Sequence, residues 1–115
     1  MKLLNLIILL FAAESFASES LINDSWCAAM NGTSQFTTKD RTYVDCLTNE
    51  YAIEAEFDYN WKEAIGQSLH YAETTNKQAA ILFIKRKESN KDYLNELNRV
   101  ITKFQLPIKV FITEE

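Results

Sequence analysis

The 115-residue chain is poor in residues that interrupt secondary structure and in residues that bind zinc. It has two glycines, one proline, two cysteines and one histidine. With so few turn formers we expect closely connected elements, with no linkers, repeats or low-complexity tracts. The single histidine, His70, and the lack of a CxxC pair predict no structural zinc site. No local Ser/His/Asp or Cys/His signature of nucleophilic catalysis is present.

Positive charge is also scarce. Lysine and arginine number 12 against 16 aspartates and glutamates, so the formal net charge is −4. A mildly acidic domain has no electrostatic basis for tight, nonspecific binding to nucleic acid. The clearest basic cluster is Lys85-Arg86-Lys87, with Lys91 beyond it. A run of this kind at a strand end is more often a solvated loop than a phosphate-binding patch.

The N-terminus has the form of a secretory signal. Lys2 provides the positive charge, an apolar run covers Leu3 to Ala13, and Ser15 and Ala17 are the small residues around a cleavage site. The run is shorter than the roughly 20 residues that span a bilayer. We therefore expect a signal peptide over residues 1–17, a single domain over 18–115 without stable membrane insertion, and a secreted or periplasmic destination. An uncleaved anchor or a buried N-terminal helix is the alternative, and the oligomeric state is not indicated.

Export affects the interpretation of Cys27 and Cys46, the only two cysteines. An even count in an exported chain predicts one disulfide, which would contribute about 3 kcal/mol to a domain of this size. The alternative is two buried thiols that never meet.

Hydrophobic periodicity predicts the element order α-β-β-β-α-β-α-β. The expected elements are a helix over Leu21–Met30, a short strand over Gln35–Thr38, strands over Tyr43–Thr48 and Tyr51–Phe57, a helix from Asp58 or Asn60 to about Thr75, a strand over Ala79–Ile84, a helix over Asn90–Phe104 and a strand over Ile108–Ile112. This order predicts an α/β sandwich whose mixed sheet is antiparallel at the hairpin and parallel across the helical crossovers.

The hairpin carries a candidate site. A turn on Asn49 and Glu50 would pair Asp45 with Glu54 and put Glu56 on the same face. Three carboxylates this close repel one another unless a cation or protons compensate. Hard oxygen ligands favour Mg²⁺ or Mn²⁺, so these three residues are the predicted metal ligands.

Two polar residues of the following helix, Gln67 and Tyr71, are spaced i, i+4 and could converge over the hairpin. Two alternatives stand beside this site. The carboxylates could form the solvated face of an ordinary strand while the apolar residues of the hairpin pack inward. A slipped turn would instead place Asp45 opposite Ile53 and disperse the cluster.

At these positions the chain resembles the PD-(D/E)XK nuclease superfamily, and more closely its small exported members. Asp45 matches the first acidic position, Glu54-Ala55-Glu56 matches the D/E-x-K triplet without its lysine, and Gln67 to Tyr71 matches the Q-x-x-x-Y helix motif of the RecB-like branch. The resemblance implies a restriction-endonuclease-like αβββαβ core, followed here by one further helix and strand. It also implies metal-dependent hydrolysis of DNA phosphodiesters. Gln67 and Tyr71 would then be positioning groups, and Lys62 a fallback catalytic cation.

Two positions depart from that resemblance. Asn60 stands before Trp61 where the relatives tend to carry a lysine, and Gln35 stands where they tend to carry a glutamate. Losing both charges weakens metal binding and transition-state stabilisation. The resemblance therefore implies an attenuated or inactive nuclease, and the alternative is an inactive binding module of the same fold that contacts a protein partner.

Overall fold

A computed structural model describes residues 19–115. The predicted signal peptide, residues 1–17, lies outside the described residues, and so does its cleavage site. Helix α1 covers residues 19–29 of the described part. The remaining elements are β1 (Thr33–Thr37), β2 (Tyr43–Leu47), β3 (Tyr51–Phe57), a 3₁₀ turn (Asp58–Asn60), α2 (Trp61–Thr75), β4 (Gln78–Lys85), α3 (Tyr93–Phe104) and β5 (Ile108–Glu114).

The five strands form one sheet in the order β1-β2-β3-β4-β5. The first two pairings are antiparallel, and the pairings of β3 with β4 and of β4 with β5 are parallel. Helices α2 and α3 each connect two parallel strands and pack on one face of the sheet, while α1 packs on the other. The predicted element order, the mixed sheet and the α/β sandwich are confirmed.

Element ends differ from the prediction where local hydrogen bonds decide them. Helix α3 begins at Tyr93 rather than at Asn90 because the Asp92 side chain caps it, accepting a hydrogen bond from the Asn95 backbone N at 3.0 Å. Strand β5 continues to Glu114 because its parallel pairing extends to Lys85 at the end of β4.

The core on the α1 side is built around a disulfide between Cys27 and Cys46, whose Cα atoms are 5.7 Å apart. The predicted bridge is thus present, and the alternative of two separate thiols is wrong. Gly32 lies directly against the bridge. A Cβ at Gly32 would lie 2.7 Å from each sulfur, so this close approach requires glycine.

The core on the other face lies beneath α2 and α3 and includes Trp61, Ile81, Phe83 and Leu97. Because helices cover both faces of the sheet, β3 is buried along most of its length. The interpretation of Asp45, Glu54 and Glu56 as one solvated strand face is therefore wrong for Glu54, which is 3% exposed.

No helix within residues 19–115 is long and apolar enough to cross a membrane.

Candidate functional site

The sheet is interrupted at Asp45, in the middle of β2. Pairing of β2 with β3 places Cys46 opposite Ile53, so the predicted register is correct and the slipped turn is wrong. The ladder ends there, one row before Asp45 and Glu54. In place of a ladder bond, Asp45 Oδ2 accepts a hydrogen bond from the Ala55 backbone N at 2.8 Å. One carboxylate oxygen of Asp45 therefore takes the place of a backbone carbonyl as hydrogen-bond acceptor for the neighbouring strand.

Polar residues of α1 and β1 lie around this interruption of the sheet. Asn23, buried on α1, donates its side-chain N–H to the Asp45 backbone O at 2.9 Å. Gln35, opposite Asp45 on β1, has a φ of 54°, a left-handed conformation that is uncommon for a residue with a side chain. A cavity of about 30 Å³ lies between Asn23, Gln35 and Asp45. A space this small admits a water molecule or a single ion, and not a nucleotide.

Glu54 is the most deeply buried of the predicted ligands. Its Oε2 atom has no hydrogen-bond partner among the described residues. Burial raises the pKa of Glu54 well above its usual range, and the adjacent carboxyl of Asp45 and the charge of Glu56 raise this pKa further. Glu54 therefore keeps its proton at neutral pH, and that proton relieves the repulsion between it and Asp45.

Glu56 lies two residues further along the same face and is half-buried. Burial, followed by the charges of Glu19 and Asp45, raises the pKa of Glu56 to about 7. Glu19 brings a further carboxylate from α1, and burial and Asp45 raise the pKa of Glu19 as well. Acidic residues from α1, β2 and β3 thus lie close together at the interrupted hairpin.

Helix α2 places Gln67 and Tyr71 beside this carboxyl cluster. Tyr71 Oη donates a hydrogen bond to Gln67 Oε1 at 3.3 Å. Burial raises the pKa of the Tyr71 phenol, with further contributions from the nearby carboxyls of Glu54, Asp45 and Glu56, so the phenol remains protonated. Gln67 lines one cleft with Glu56, and the convergence of the helix pair on Asp45 and Glu54 stays a prediction.

Lys62 is placed elsewhere. Its Nζ lies 5.7 Å from the ring centroid of Trp61, whose Nε1 donates to Glu96 Oε1 of α3 at 3.1 Å. Asn60 does line the outer cleft with Glu56 and Gln67, but it brings no charge. The prediction of Lys62 as a fallback cation beside the carboxylates is not met by this arrangement.

The prediction of Mg²⁺ or Mn²⁺ at the carboxyl cluster rests on the residue types alone. Within residues 19–115, no group of three or more His, Cys, Asp or Glu side chains is arranged to hold a metal ion. One oxygen of Asp45 accepts a hydrogen bond from a backbone N–H, and burial raises the pKa of Glu54. Asp45, Glu54 and Glu56 would be the ligands, and their role in binding a metal stays a prediction.

Two polar clusters were not predicted from the sequence. His70 Nε2 lies 2.7 Å from Asp40 Oδ2, and both side chains are exposed. Asp58 is buried, and its carboxylate accepts hydrogen bonds from Arg86 Nε at 2.8 Å and from Ser89 Oγ. The partners in these clusters are separated by 28 to 31 residues, so no local pattern could have revealed them.

Charge is distributed unevenly along the chain. Residues 85–115 carry seven lysines and arginines against five acidic residues, whereas residues 19–84 carry four against ten. The basic excess lies in residues 85–91, which carry four lysines and arginines against one acidic residue, whereas residues 92–115 carry three against four. The most basic segment of the chain therefore follows the C-terminal end of β4.

Comparison with known proteins gives two similar sequences, both from Acanthamoeba polyphaga mimivirus and both named as KilA-N domain-containing proteins. The first is 30% identical over 93 residues, covering 81% of this chain and 25% of the relative. The second is 32% identical over 68 residues, covering 59% of this chain and 27% of the relative. The chain thus spans about a quarter of the length of each. No protein-family model and no solved structure matches it.

These relatives correct the family resemblance drawn from the sequence. They are named for a KilA-N domain, so the assignment to the PD-(D/E)XK nuclease superfamily is wrong. The motif was misleading because its parts are short. Acidic residues at alternate positions of a strand, followed by polar residues at i, i+4 of a helix, arise in many α/β domains from periodicity alone.

Proposed function

We propose that this chain is a DNA-binding module with no hydrolytic activity. The observation that carries the proposal is its similarity, over most of its length, to two proteins named as KilA-N domain-containing. KilA-N domains point to DNA binding. Because the chain spans only a quarter of these relatives, DNA binding is proposed for this module and not transferred from the whole proteins.

The carboxyl cluster supports binding without hydrolysis. A phosphodiester must reach the metal or base that activates its attacking water. Here Glu54 is enclosed, Asp45 is bonded to the backbone of β3, and the cavity beside Asp45 is smaller than a nucleotide. A larger cleft of about 340 Å³ is lined by Glu56 and Gln67 and by neither Asp45 nor Glu54. The hydrogen bonds of Asp45 join β2 to β3 and to Asn23 of α1, which is a structural role.

The charge distribution supports contact with DNA despite the net charge of −4. Nonspecific affinity depends on the cations that face the phosphates, and not on the sum over the whole chain. The cations of residues 85–91 and the exposed cations of α3 are the ones that can meet phosphates. The weak total charge predicts modest affinity, in the micromolar range or weaker at physiological salt.

A fluorescence anisotropy titration tests the proposal. A labelled duplex of about 20 base pairs should bind at about 50 mM salt, and the affinity should fall steeply as salt is raised. A gel of the same mixture with Mg²⁺ or Mn²⁺ should show intact DNA. Absence of binding at low salt would overturn DNA binding, and cleavage abolished by Asp45→Ala would overturn the non-hydrolytic assignment.

We also propose that the protein is exported to a secreted or periplasmic location. The disulfide supports this, since such bonds persist mainly in oxidising compartments. N-terminal sequencing of the mature protein should begin at Ser18, and a start at Met1 would contradict export with cleavage. The alternative of a protein partner remains a prediction.

A further inference from the structure

Helix α3 presents one face to the core and leaves the other uncovered. Leu97 is fully buried, and Leu94, Val100 and Ile101 pack against the same core. The outer face carries five exposed polar side chains: Asn95, Asn98, Arg99, Thr102 and Lys103. Spacing of four residues aligns Asn95, Arg99 and Lys103 in one row along the helix, with Asn98 and Thr102 beside it.

This outer face bears two positive charges, and the one carboxylate that lines the same cleft, Glu96, is bonded to other residues. The acidic residue within α3, Glu96, bonds to Lys91 at 3.1 Å and to the Trp61 indole. Asp92 caps the helix. In residues 19–115, neither Arg99 nor Lys103 has an ion-pair partner. The two cations are therefore available to a ligand.

The dimensions of this face match duplex DNA. An α-helix with its side chains is about 10–12 Å wide, and the major groove is about 12 Å wide. The row from Asn95 to Lys103 is about 12 Å long, which corresponds to three or four base pairs. Arginine pairs with guanine and asparagine with adenine in that groove, and lysine contacts phosphate.

We propose that the outer face of α3 is the surface that binds double-stranded DNA, with Arg99 and Lys103 as its principal contacts. The proposal rests on the DNA-binding function proposed above and identifies the surface responsible. The two charges on this face that lack an ion-pair partner within residues 19–115 are positive. They attract the negatively charged phosphates of DNA and repel a positively charged partner such as a basic peptide.

The test compares two double variants that remove equal charge. Arg99→Gln with Lys103→Gln neutralises the outer face of α3. Lys39→Gln with Arg41→Asn neutralises two cations of the β1–β2 loop, at the other end of the sheet. Asparagine is used at position 41 because Arg41 has a φ of 68°, a left-handed conformation that asparagine tolerates. All four residues are exposed, so circular dichroism and melting temperature should match those of the wild type.

We expect the α3 variant to bind the duplex at least about fivefold more weakly than the wild type, with a salt slope about 2 units shallower. The loop variant should bind within about twofold of the wild type. Equal binding by the α3 variant and the wild type would overturn the assignment of DNA binding to this surface, while the proposal that the module binds DNA would stand. A wild type that does not bind would overturn the proposed function, and with it this inference.

Discussion

Replacing Glu54 with glutamine gives the sharpest test of the carboxyl cluster. Glu54 keeps its proton in the folded protein, whereas an unfolded chain releases it near the usual pKa of 4.5. Since the folded state binds the extra proton, stability is highest below pH 4.5 and declines as pH rises toward the folded pKa. The substitution removes this dependence, because an amide of nearly the same shape does not titrate.

The magnitude follows from the proton linkage. Each pH unit between the two pKa values costs about 1.4 kcal/mol, so three units, from pH 4.5 to 7.5, cost at most about 4 kcal/mol. Residual hydration and relaxation reduce this, and we expect about 2 kcal/mol. Glu54→Gln should therefore be more stable than the wild type at pH 7.5 by that amount and within about 0.5 kcal/mol of it at pH 4.

Urea unfolding of both proteins from pH 4 to 8, in the presence of EDTA, measures the effect. The decisive quantity is the slope of unfolding free energy against pH. Any packing defect that glutamine introduces lowers the unfolding free energy equally at pH 4 and at pH 8, so it leaves this slope unchanged. Glu73→Gln, at an exposed position of α2, is the matched control and should leave the slope unchanged. An unchanged slope in Glu54→Gln would refute the assignment of a buried proton to this residue.

Further predictions concern the cluster and the core. About 1 mM Mn²⁺ should shift the melting temperature at pH 7 by less than about 1 °C, and a larger increase that Glu54→Gln abolishes would reveal a metal site. Replacing Cys27 and Cys46 with alanine should cost about 3 kcal/mol in urea unfolding, as expected for a bridge between residues 19 apart. Gly32→Ala should lower stability by about 1–3 kcal/mol, because its methyl group meets both sulfurs, and a neutral effect would contradict that packing. Asp58→Ala should cost about 3 kcal/mol by leaving Arg86 without its buried partner, and a loss under 1 kcal/mol would show that solvent replaces it.

The sequence was sufficient to predict the fold because its signals are local. Alternation along Tyr51–Phe57 and the apolar stripe of α2 each predict one element, and the Asn49-Glu50 turn fixes the register that brings Asp45 beside Glu54. Even the disulfide follows from a count of two cysteines. These features depend on neighbouring residues and on the 2.0 and 3.6 periods.

The chemical state of the cluster was not predictable in the same way. Glu54 loses access to solvent because α2 covers that face of β3, and Asp45 loses an oxygen to the Ala55 backbone N. Both facts depend on packing between elements. The D…E-x-E pattern therefore predicts where the carboxyl groups lie, but not the burial of Glu54 or the hydrogen bond that Asp45 accepts.

The outer face of α3 is another feature that the sequence did not predict. Arg99 and Lys103 are ordinary members of an amphipathic helix in the sequence. Their importance depends on their exposure on the uncovered face of α3 and on their lack of ion-pair partners within residues 19–115, which only the structure shows.

The most direct test of the account is a nuclear magnetic resonance titration of the uniformly ¹⁵N-labelled protein with a DNA duplex of about 16 base pairs. We predict that amide shift changes concentrate between Asn95 and Lys103 and are absent from the hairpin around Asp45 and Glu54. Changes centred on the hairpin, or no changes at low salt, would contradict the central claim that this module binds DNA through α3.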